Sequence, residues 1–409
     1  MNASTRAAHG PRQLPECGHS ATACQATWRF LNNDRVGLRE LAEPLRQAAR
    51  DGCVASGSDY VLVLHDWCKV DYKSHTSKGD LLQLTHEHDI GYDLTTSLAV
   101  EVEFGQPLAP VQMHLKTADT VHSTAETPPT WADHHLQQLE PTMDEIAGMG
   151  RARKPVHVID READSLGHFR SWDAAGHLFL VRCDERRVKW NDESVLLSEV
   201  NEHLDRECLF EDAGKAKYHG KKVRRQVAEV SVVADRRHTT RSDGQQKLIA
   251  GKAITLRAIF VRLLDKHDYI LAEWMLLTNV PHDVDAATIG QWYYFRWQIE
   301  SFFKLLKSAG HEMEYWQQTS GIAIARRLLI AAMASVFIDD LRRSRTAEAE
   351  QFRSFLMQLS GRTTKHRVTH TAPGLLAGYF VFISMVQLLN QGIPIEKLKN
   401  LANSCGMPA

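Results

Sequence analysis

The chain has 409 residues, of which 43% are hydrophobic and 24% are charged, and its formal net charge at pH 7 is −1. This balance is typical of a folded globular protein. It excludes a disordered chain and a uniformly basic one, so any nucleic-acid surface must be local. Seven scattered cysteines without a Cys-x-x-Cys pair do not support a disulfide framework or a zinc site, and the nearest thing to a ligand group is Cys17, His19 and Cys24.

The first part of the chain predicts helices. Residues 1–24 lack apolar periodicity, whereas residues 23–49 show helical spacing. No apolar segment of a signal peptide is evident near the start. The longest apolar runs, residues 328–338 and 375–386, are shorter than the ~18–20 residues that span a bilayer. We therefore expect a cytoplasmic protein without a membrane partner.

Two predicted strands are followed directly by aspartate. Residues 60–66 read YVLVLHD and end at Asp66, and residues 155–160 read PVHVID and end at Asp160. If these strands are parallel neighbours, their carboxyl ends place both carboxylates at one edge of the sheet. Asp71 and Asp164 lie nearby in sequence but do not close an apolar run, so Asp66 and Asp160 are the preferred pair.

Other elements surround these two strands. The remaining predicted elements of this part are strands at residues 91–104, 108–117 and 177–183 and a helix at residues 130–149. Residues 185–281 alternate charged turns with apolar strands, at residues 226–233, 254–264 and 269–278. The most basic stretch of the segment contains Lys215, Lys217, Lys221, Lys222, Arg224 and Arg225. It is either a solvated hairpin tip or a phosphate-binding surface.

Residues 292–307, WYYFRWQIESFFKLLK, form the most informative stretch. In a continuous helix at about 100° per residue, five polar residues share one face: Tyr293, Arg296, Glu300, Lys304 and Lys307. An adjacent apolar stripe of Ile299, Phe303 and Leu306 would pack into a hydrophobic core and hold the neighbouring charged face in place. The charges could simply be an ion-pair network between helices. Together with Asp66 and Asp160, however, Glu300 completes three carboxylates suited to two divalent metal ions, because hard cations prefer oxygen ligands.

These residues resemble a known signature. The spacing Tyr293-(2)-Arg296-(3)-Glu300-(6)-Lys307 is similar to the Y-(2)-R-(3)-E-(6)-K signature of DDE transposases of the insertion sequence 4 family. Residues 160–164, DREAD, resemble the segment around the second catalytic aspartate of that family. With residues 273–278, EWMLLT, and the chain order Asp, Asp, Glu, the resemblance covers roughly residues 28–340.

The resemblance implies an α/β fold with a ribonuclease H-like catalytic core. The implied divisions are an N-terminal helical region at residues 1–57, the core at 58–184 and 282–345, a β-rich insertion at 185–281 and a C-terminal helical region at 346–409. The family's N-terminal DNA-binding part is expected to be shortened here. The C-terminal region is expected to form a homodimer, because its apolar helices have little polar cover.

The resemblance also implies an activity. Asp66, Asp160 and Glu300 would hold two Mg²⁺ or Mn²⁺ ions, with no organic cofactor, and cut transposon ends through a hairpin intermediate before joining them to target DNA. Tyr293, Arg296, Lys304 and Lys307 would contact DNA phosphates. Trp274 would either stack on a flipped base or belong to the core. The protein would act in the bacterial cytoplasm, on the nucleoid when bound to DNA.

Two alternatives stay open at this point. A shortened chain could dimerise with a full-length transposase and inhibit it without cutting DNA. A ribonuclease H-like nuclease would cleave DNA without strand transfer. One local departure from the family is Trp67-Cys68-Lys69 after the first aspartate, where better-known relatives have small hydroxyl residues, and it leaves the contacts to DNA ends open.

Overall fold

The structure is a computed structural model that describes residues 20–149, 153–236, 238–242, 245–249, 251–362, 370–390, 392, 394–397 and 400. The helices of these ranges are α1 (Ser20–Leu31), α2 (Leu38–Ser56), α3 (Leu139–Met149), α4 (Leu166–Ala174), α5 (Leu197–Arg206), α6 (Ala286–Tyr294), α7 (Trp297–Lys304), α8 (Gly321–Arg343), α9 (Ala347–Leu359) and α10 (Ala372–Asn390). Short 3-10 turns cover Arg161–Ala163 and Met313–Tyr315, and a π-helical turn covers Leu305–Ala309.

The strands of the described ranges include apolar runs such as β1 and β14 and polar segments such as β10. They are β1 (Tyr60–Asp71), β2 (Leu82–Gln83), β3 (Ile90–Val100), β4 (Pro107–Lys116), β5 (Val121–Ser123), β6 (Lys154–Ile159), β7 (Leu178–Arg182), β8 (Arg187–Trp190), β9 (Glu193–Leu196), β10 (Glu211–Tyr218), β11 (Lys221–Ala234), β12 (His238–Ser242), β13 (Gln245–Ile249), β14 (Ile254–Leu264) and β15 (Ile270–Thr278).

One large sheet organises the fold. Its first half has the order β5-β4-β3-β1-β6-β7. β1, β6 and β7 run parallel, whereas β3 and β4 are antiparallel to their neighbours. The two strands that deliver Asp66 and Asp160 are therefore adjacent and parallel, as the sequence predicts.

The segment at residues 185–281 extends this sheet. β15 pairs antiparallel with β7, and the order continues through β14, β11, β8 and β9. The three strands predicted within this segment are confirmed as β11, β14 and β15. Helix α5, which packs beside β8 and β9, is not among the predicted elements. Hydrogen bonds between β7 and β15 thus join this segment directly to the strands that carry the aspartates.

Several boundaries differ from the sequence prediction; the strand predicted to end at residue 104, for example, ends at Val100. The first strand does not end at Asp66 but continues to Asp71, because β3 pairs with it along that whole length. The helix predicted from residue 130 begins only at Leu139. This start places Pro141 in the first turn of the helix, where proline is well tolerated because an N–H group would have no partner within the helix there.

Alternate side chains of the central strands enter different cores. In β7, Leu180 packs into one hydrophobic cluster, and Phe179 and Val181 pack into another. This is the period-two pattern expected of a sheet covered on both faces. A third cluster joins α9 and α10 to Ile338 of α8 and to Leu305. The C-terminal helices therefore share a core with the turn that follows α7.

Helices α8 and α10 are both long and apolar enough to cross a membrane by composition alone. In α8, 83% of the apolar window is buried inside the fold, as expected for a core helix, and in α10 the share is 44%. The less covered face of α10 exposes Val381, Met385 and Leu389, which recur every four residues along one side of the helix.

Acid should destabilise this fold in part through His114. Burial lowers its pKa to about 4 from an ordinary 6.5, so the folded protein keeps this imidazole neutral while the unfolded chain protonates it. The unfolded state then binds more protons below pH 6.5, and stability falls as the pH decreases toward 4. The unfolding free energy of the wild type should fall between pH 7 and pH 5. We expect this fall to be about 2 kcal/mol smaller in His114→Gln. Urea unfolding at each pH measures this difference.

His88→Gln is the matched control, because the His88 side chain is 87% exposed. An equal acid sensitivity of the wild type and His114→Gln would contradict the assignment.

Candidate active site

The register of two parallel strands places Asp66 level with Asp160. Leu64 of β1 lies opposite Val158 of β6, and each aspartate follows two residues later on its own chain. Side chains two residues apart lie on the same face of a strand. The two carboxylates therefore project from the same side of the sheet, at the end of the β1–β6 pairing.

Helix α7 brings the third carboxylate to this point. Glu300 lies in its first turn, and Arg296 immediately precedes the helix. Ile299, Phe303 and Leu306 are 0%, 6% and 0% exposed, which confirms the buried stripe predicted beside the charged face. Packing of this stripe fixes the helix against the core, so that Glu300 faces β1 and β6.

A single guanidinium joins the three acidic residues. Arg296 Nη1 lies 3.1 Å from Asp66 Oδ2, and Arg296 Nη2 lies 3.2 Å from Asp160 Oδ2 and 2.7 Å from Glu300 Oε1. The side chain of Arg296 is only 14% exposed. The structure thus brings Asp66, Asp160, Glu300 and Arg296 together in one half-buried cluster.

Burial and charge shift the pKa values in this cluster. Burial raises the pKa of Asp66, and the nearby Asp160 carboxylate adds to this effect while Arg296 opposes it. Burial likewise raises the pKa of Glu300. For Arg296, burial alone would lower the pKa, but the carboxylates of Asp160, Asp66 and Glu300 outweigh it, so the pKa is raised. The guanidinium therefore stays charged throughout the physiological pH range.

The predicted continuous helix at residues 292–307 is interrupted. α6 ends at Tyr294, the amides of Phe295 and Arg296 bond back three residues, and α7 starts at Trp297. A π-helical turn then replaces the last α-helical turn. Tyr293, Arg296 and Glu300 still reach the same site, since the Tyr293 hydroxyl donates to Asp160 Oδ1 at 3.2 Å.

In the described part of the chain, the two lysines of this stretch make no ion pair with Asp66, Asp160 or Glu300. Lys307 Nζ donates to the carbonyl oxygen of Lys69 at 2.6 Å and pairs with Glu314 Oε1 at 2.9 Å. Lys304 is exposed on α7. The prediction that all five polar residues share one face assumes a continuous α-helix, whereas Lys307 lies in a π-helical turn.

Trp274 lies inside the sheet beside the site. It is 8% exposed, and its ring meets that of Tyr293 edge-on at a centroid distance of 5.4 Å. Of the two roles considered for this side chain, the described packing corresponds to the core position. Base stacking by Trp274 remains a prediction.

The nearby aspartates have other partners. Asp164 pairs with Arg186 and accepts from the Asp184 amide at 2.9 Å. Asp71 is half exposed and lies 3.6 Å from Lys73. Neither makes an ion pair with Arg296 in the described part of the chain.

Sequence reasoning missed two residues near the cluster, Arg182 and His135. Arg182 Nη1 lies 3.7 Å from Asp160 Oδ1. His135 stacks on Trp67 at a centroid distance of 3.7 Å and lies 3.2 Å from Glu162. Arg182 could have been found as the last residue of the strand beside β6, but no local pattern marks His135, which reaches Trp67 through the loop before α3.

The basic stretch forms a hairpin, as the interpretation of a solvated hairpin tip predicts. β10 and β11 pair antiparallel around a tight turn, and the side chains of Lys215, Lys217, Lys221 and Lys222 are exposed. Arg225 differs from them, because it is buried and donates to the Ala213 carbonyl at 2.8 Å. The Tyr294 hydroxyl accepts from the Lys217 amide and donates to the Lys217 carbonyl, which connects the hairpin to α6.

The carboxylates of Asp66, Asp160 and Glu300 are chemically suited to bind a divalent cation. Three carboxylates facing one positive group offer the oxygen atoms that Mg²⁺ and Mn²⁺ prefer. Within the ranges that the structure describes, no three His, Cys, Asp or Glu side chains are arranged to hold one metal ion. The three carboxylates are instead spaced around a guanidinium.

Comparison with known families identifies the chain. The sequence profile described as "Transposase DDE domain" matches residues 120–337, which is more than half of the chain. The chain belongs to this family. Transposases of the family bind, cleave and transfer DNA strands, and they generally use divalent metal ions. The matched region contains Asp160 and Glu300 but begins after Asp66.

Other comparisons add little detail. No curated protein matches the chain. Among solved structures, it is similar to a chain of the "cryo-EM structure of piggyBac transposase synaptic complex with hairpin DNA", with a TM-score of 0.36 and 7% identity. That similarity covers 95% of this chain and 68% of the other chain.

Truncating Trp274 should reveal its role in the core. Because its ring is almost fully buried against Tyr293, we expect Trp274→Ala to lower the unfolding free energy by about 3 kcal/mol. Trp297→Ala is the matched control, since Trp297 is 47% exposed, and it should cost less than about 1 kcal/mol. Denaturant unfolding measures both values. Equal stability of Trp274→Ala and the wild type would favour a stacking role over a core role.

Proposed function

We propose that this transposase cuts transposon ends and joins them to target DNA by phosphoryl transfer at Asp66, Asp160 and Glu300. The resemblance of its Tyr-Arg-Glu-Lys spacing to the signature of the insertion sequence 4 family supports a cut-and-paste reaction through a hairpin intermediate. The observation that carries the proposal is the convergence of these three carboxylates, from two parallel strands and one helix, on Arg296.

A ribonuclease H-like core is the fold we infer for the site. Its support is the order β4-β3-β1-β6-β7, with β1, β6 and β7 parallel. In this arrangement one aspartate lies on the central strand and the second follows its parallel neighbour. The proposed divisions remain residues 58–184 and 282–345 for the core, 185–281 for the insertion, 1–57 for the N-terminal helical region and 346–409 for the C-terminal one.

The proposed catalytic residues would hold two Mg²⁺ or Mn²⁺ ions. When bound, such ions would supply activation of the attacking hydroxyl and stabilisation of the leaving oxygen of the phosphodiester. The chain itself positions the donors: the strand register fixes Asp66 and Asp160, and the Tyr293 hydroxyl holds one oxygen of Asp160. Because burial raises the pKa of Asp66 and Glu300, their protonation should compete with cation binding as the medium becomes acidic.

The proposed DNA contacts come from the same stretch of chain as Glu300. Exposed Lys304 on α7 is available for a phosphate, and Lys307, Arg296 and Tyr293 are proposed as further phosphate contacts. These groups would position DNA without reading its sequence. Trp274 is retained as a proposed base-stacking residue, although the base would have to displace the Tyr293 contact.

The proposed partner within the DNA complex is a second copy of the chain. The exposed face of α10, with Val381, Met385 and Leu389, supports this assignment. We place the protein in the bacterial cytoplasm and on the nucleoid when DNA is bound.

The decisive experiment is a Mg²⁺-dependent cleavage assay on DNA carrying the inverted repeats that flank the gene. We expect Glu300→Gln to lower the cleavage rate by at least about 10³-fold while its DNA affinity stays within about threefold of the wild type. The amide keeps the size of the side chain but loses the charge that holds a cation. Glu312→Gln makes the same chemical change at an exposed residue and should cleave normally.

Each alternative gives a different product pattern. Normal nicking by Glu300→Gln would remove this residue from the triad. Cleavage by the wild type without hairpin or strand-transfer products would indicate a nuclease. A wild-type chain that folds and dimerises but does not cleave would indicate an inhibitor of a longer transposase.

A further inference from the structure

The ion pairs of Arg296 occupy one oxygen of each carboxylate that would hold the proposed metal ions. The guanidinium contacts Asp66 Oδ2, Asp160 Oδ2 and Glu300 Oε1 at 2.7–3.2 Å. A Mg²⁺ ion binds carboxylate oxygens at about 2.0–2.1 Å and requires near-octahedral geometry. A cation held by these three carboxylates would lie close to the guanidinium that is placed between them.

The charge balance of the cluster favours exchange of one cation for another. Three carboxylates face one guanidinium, and the other nearby cation, Arg182, lies 3.7 Å from Asp160. The cluster therefore keeps an excess of negative charge that attracts a divalent ion. A positively charged guanidinium in contact with that ion would be repelled, so binding of the ion favours withdrawal of Arg296.

The position of Arg296 in the chain permits this withdrawal. Arg296 lies at the interruption between α6 and α7, and its backbone is helical, with φ −53° and ψ −29°. The long side chain can therefore change rotamer without a change in the helix. Its contact with Glu300 lies within one helical turn, whereas the contacts with Asp66 and Asp160 cross to other elements.

We propose that Arg296 is a displaceable counterion of the triad, which neutralises the carboxylates until divalent cations bind and is then transferred to a DNA phosphate. This inference rests on the proposed metal site. It gives Arg296 two successive partners of the same charge, first the carboxylates and then the phosphodiester. Metal ions and DNA then each raise the affinity for the other, because each favours the same displaced arginine.

A role as a displaceable counterion differs from a purely structural one in its effect on metal affinity. If Arg296 only organised the carboxylates, its loss would weaken metal binding. If it competes with the metal, its loss removes a competitor and strengthens binding, even though the metal-free protein becomes less stable. Affinity and stability should therefore change in opposite directions.

The test is a calorimetric titration of the full chain with Mn²⁺ in the absence of DNA. We expect Arg296→Gln to bind Mn²⁺ about tenfold more tightly than the wild type, since displacement no longer opposes binding. Its melting temperature without metal should fall, and its gain in melting temperature with Mn²⁺ should exceed that of the wild type. Arg182→Gln is the matched control for loss of one nearby positive charge, and its affinity should rise by less than about threefold.

Two further variants separate the possible failures. Asp160→Asn should lose most of the Mn²⁺ affinity. If this variant binds Mn²⁺ like the wild type, the carboxylates are not the metal site, and the metal-binding part of the proposed function is wrong. If Asp160→Asn loses binding but Arg296→Gln binds no more tightly than the wild type, the metal site stands and the displaceable-counterion role is wrong.

Arg296→Lys covers the case in which Arg296→Gln does not fold. A single ammonium cannot bridge three carboxylates as the guanidinium does, so this variant should bind Mn²⁺ more tightly than the wild type. Unchanged or weaker binding by Arg296→Lys would overturn the inference.

Discussion

The parallel pairing of β1 and β6 is the constraint on which the site depends. Its register sets Asp66 and Asp160 at the same height on one face of the sheet. A shift by one residue would send one of the two carboxylates to the opposite face. The other elements act on this pair: β3 continues β1 beyond the pairing, and β7 adds Arg182 from the other side.

The helical side of the site depends on packing more than on charge. The stripe of Ile299, Phe303 and Leu306 is buried in the main core, and Leu305 belongs to the core of the C-terminal helices. α7 is thus held between two cores. This placement explains how three acidic side chains can remain close together, since the packing compensates for their mutual repulsion and Arg296 neutralises part of it.

Much of the site could be predicted from the sequence, because strands that end in acidic residues and a helix with an apolar stripe are local patterns. The partners of those residues could not. Periodicity does not encode the π-helical turn that directs Lys307 to Glu314 and the Lys69 carbonyl. It also does not show that β15 pairs with β7, or that His135 reaches Trp67, because both contacts depend on long-range packing. The same limit applies to Arg296, whose three ion pairs depend on two distant strands.

The central claim is that Asp66, Asp160 and Glu300 form one metal site, and localised cutting of the polypeptide by bound Fe²⁺ tests it most directly. With ascorbate and peroxide, Fe²⁺ at the site generates hydroxyl radicals that cut the nearest backbone. The account predicts fragments ending near residues 66, 160 and 300, all suppressed by excess Mg²⁺ and absent from Asp160→Asn. Cuts elsewhere in the chain, or cuts that persist in Asp160→Asn, would contradict it.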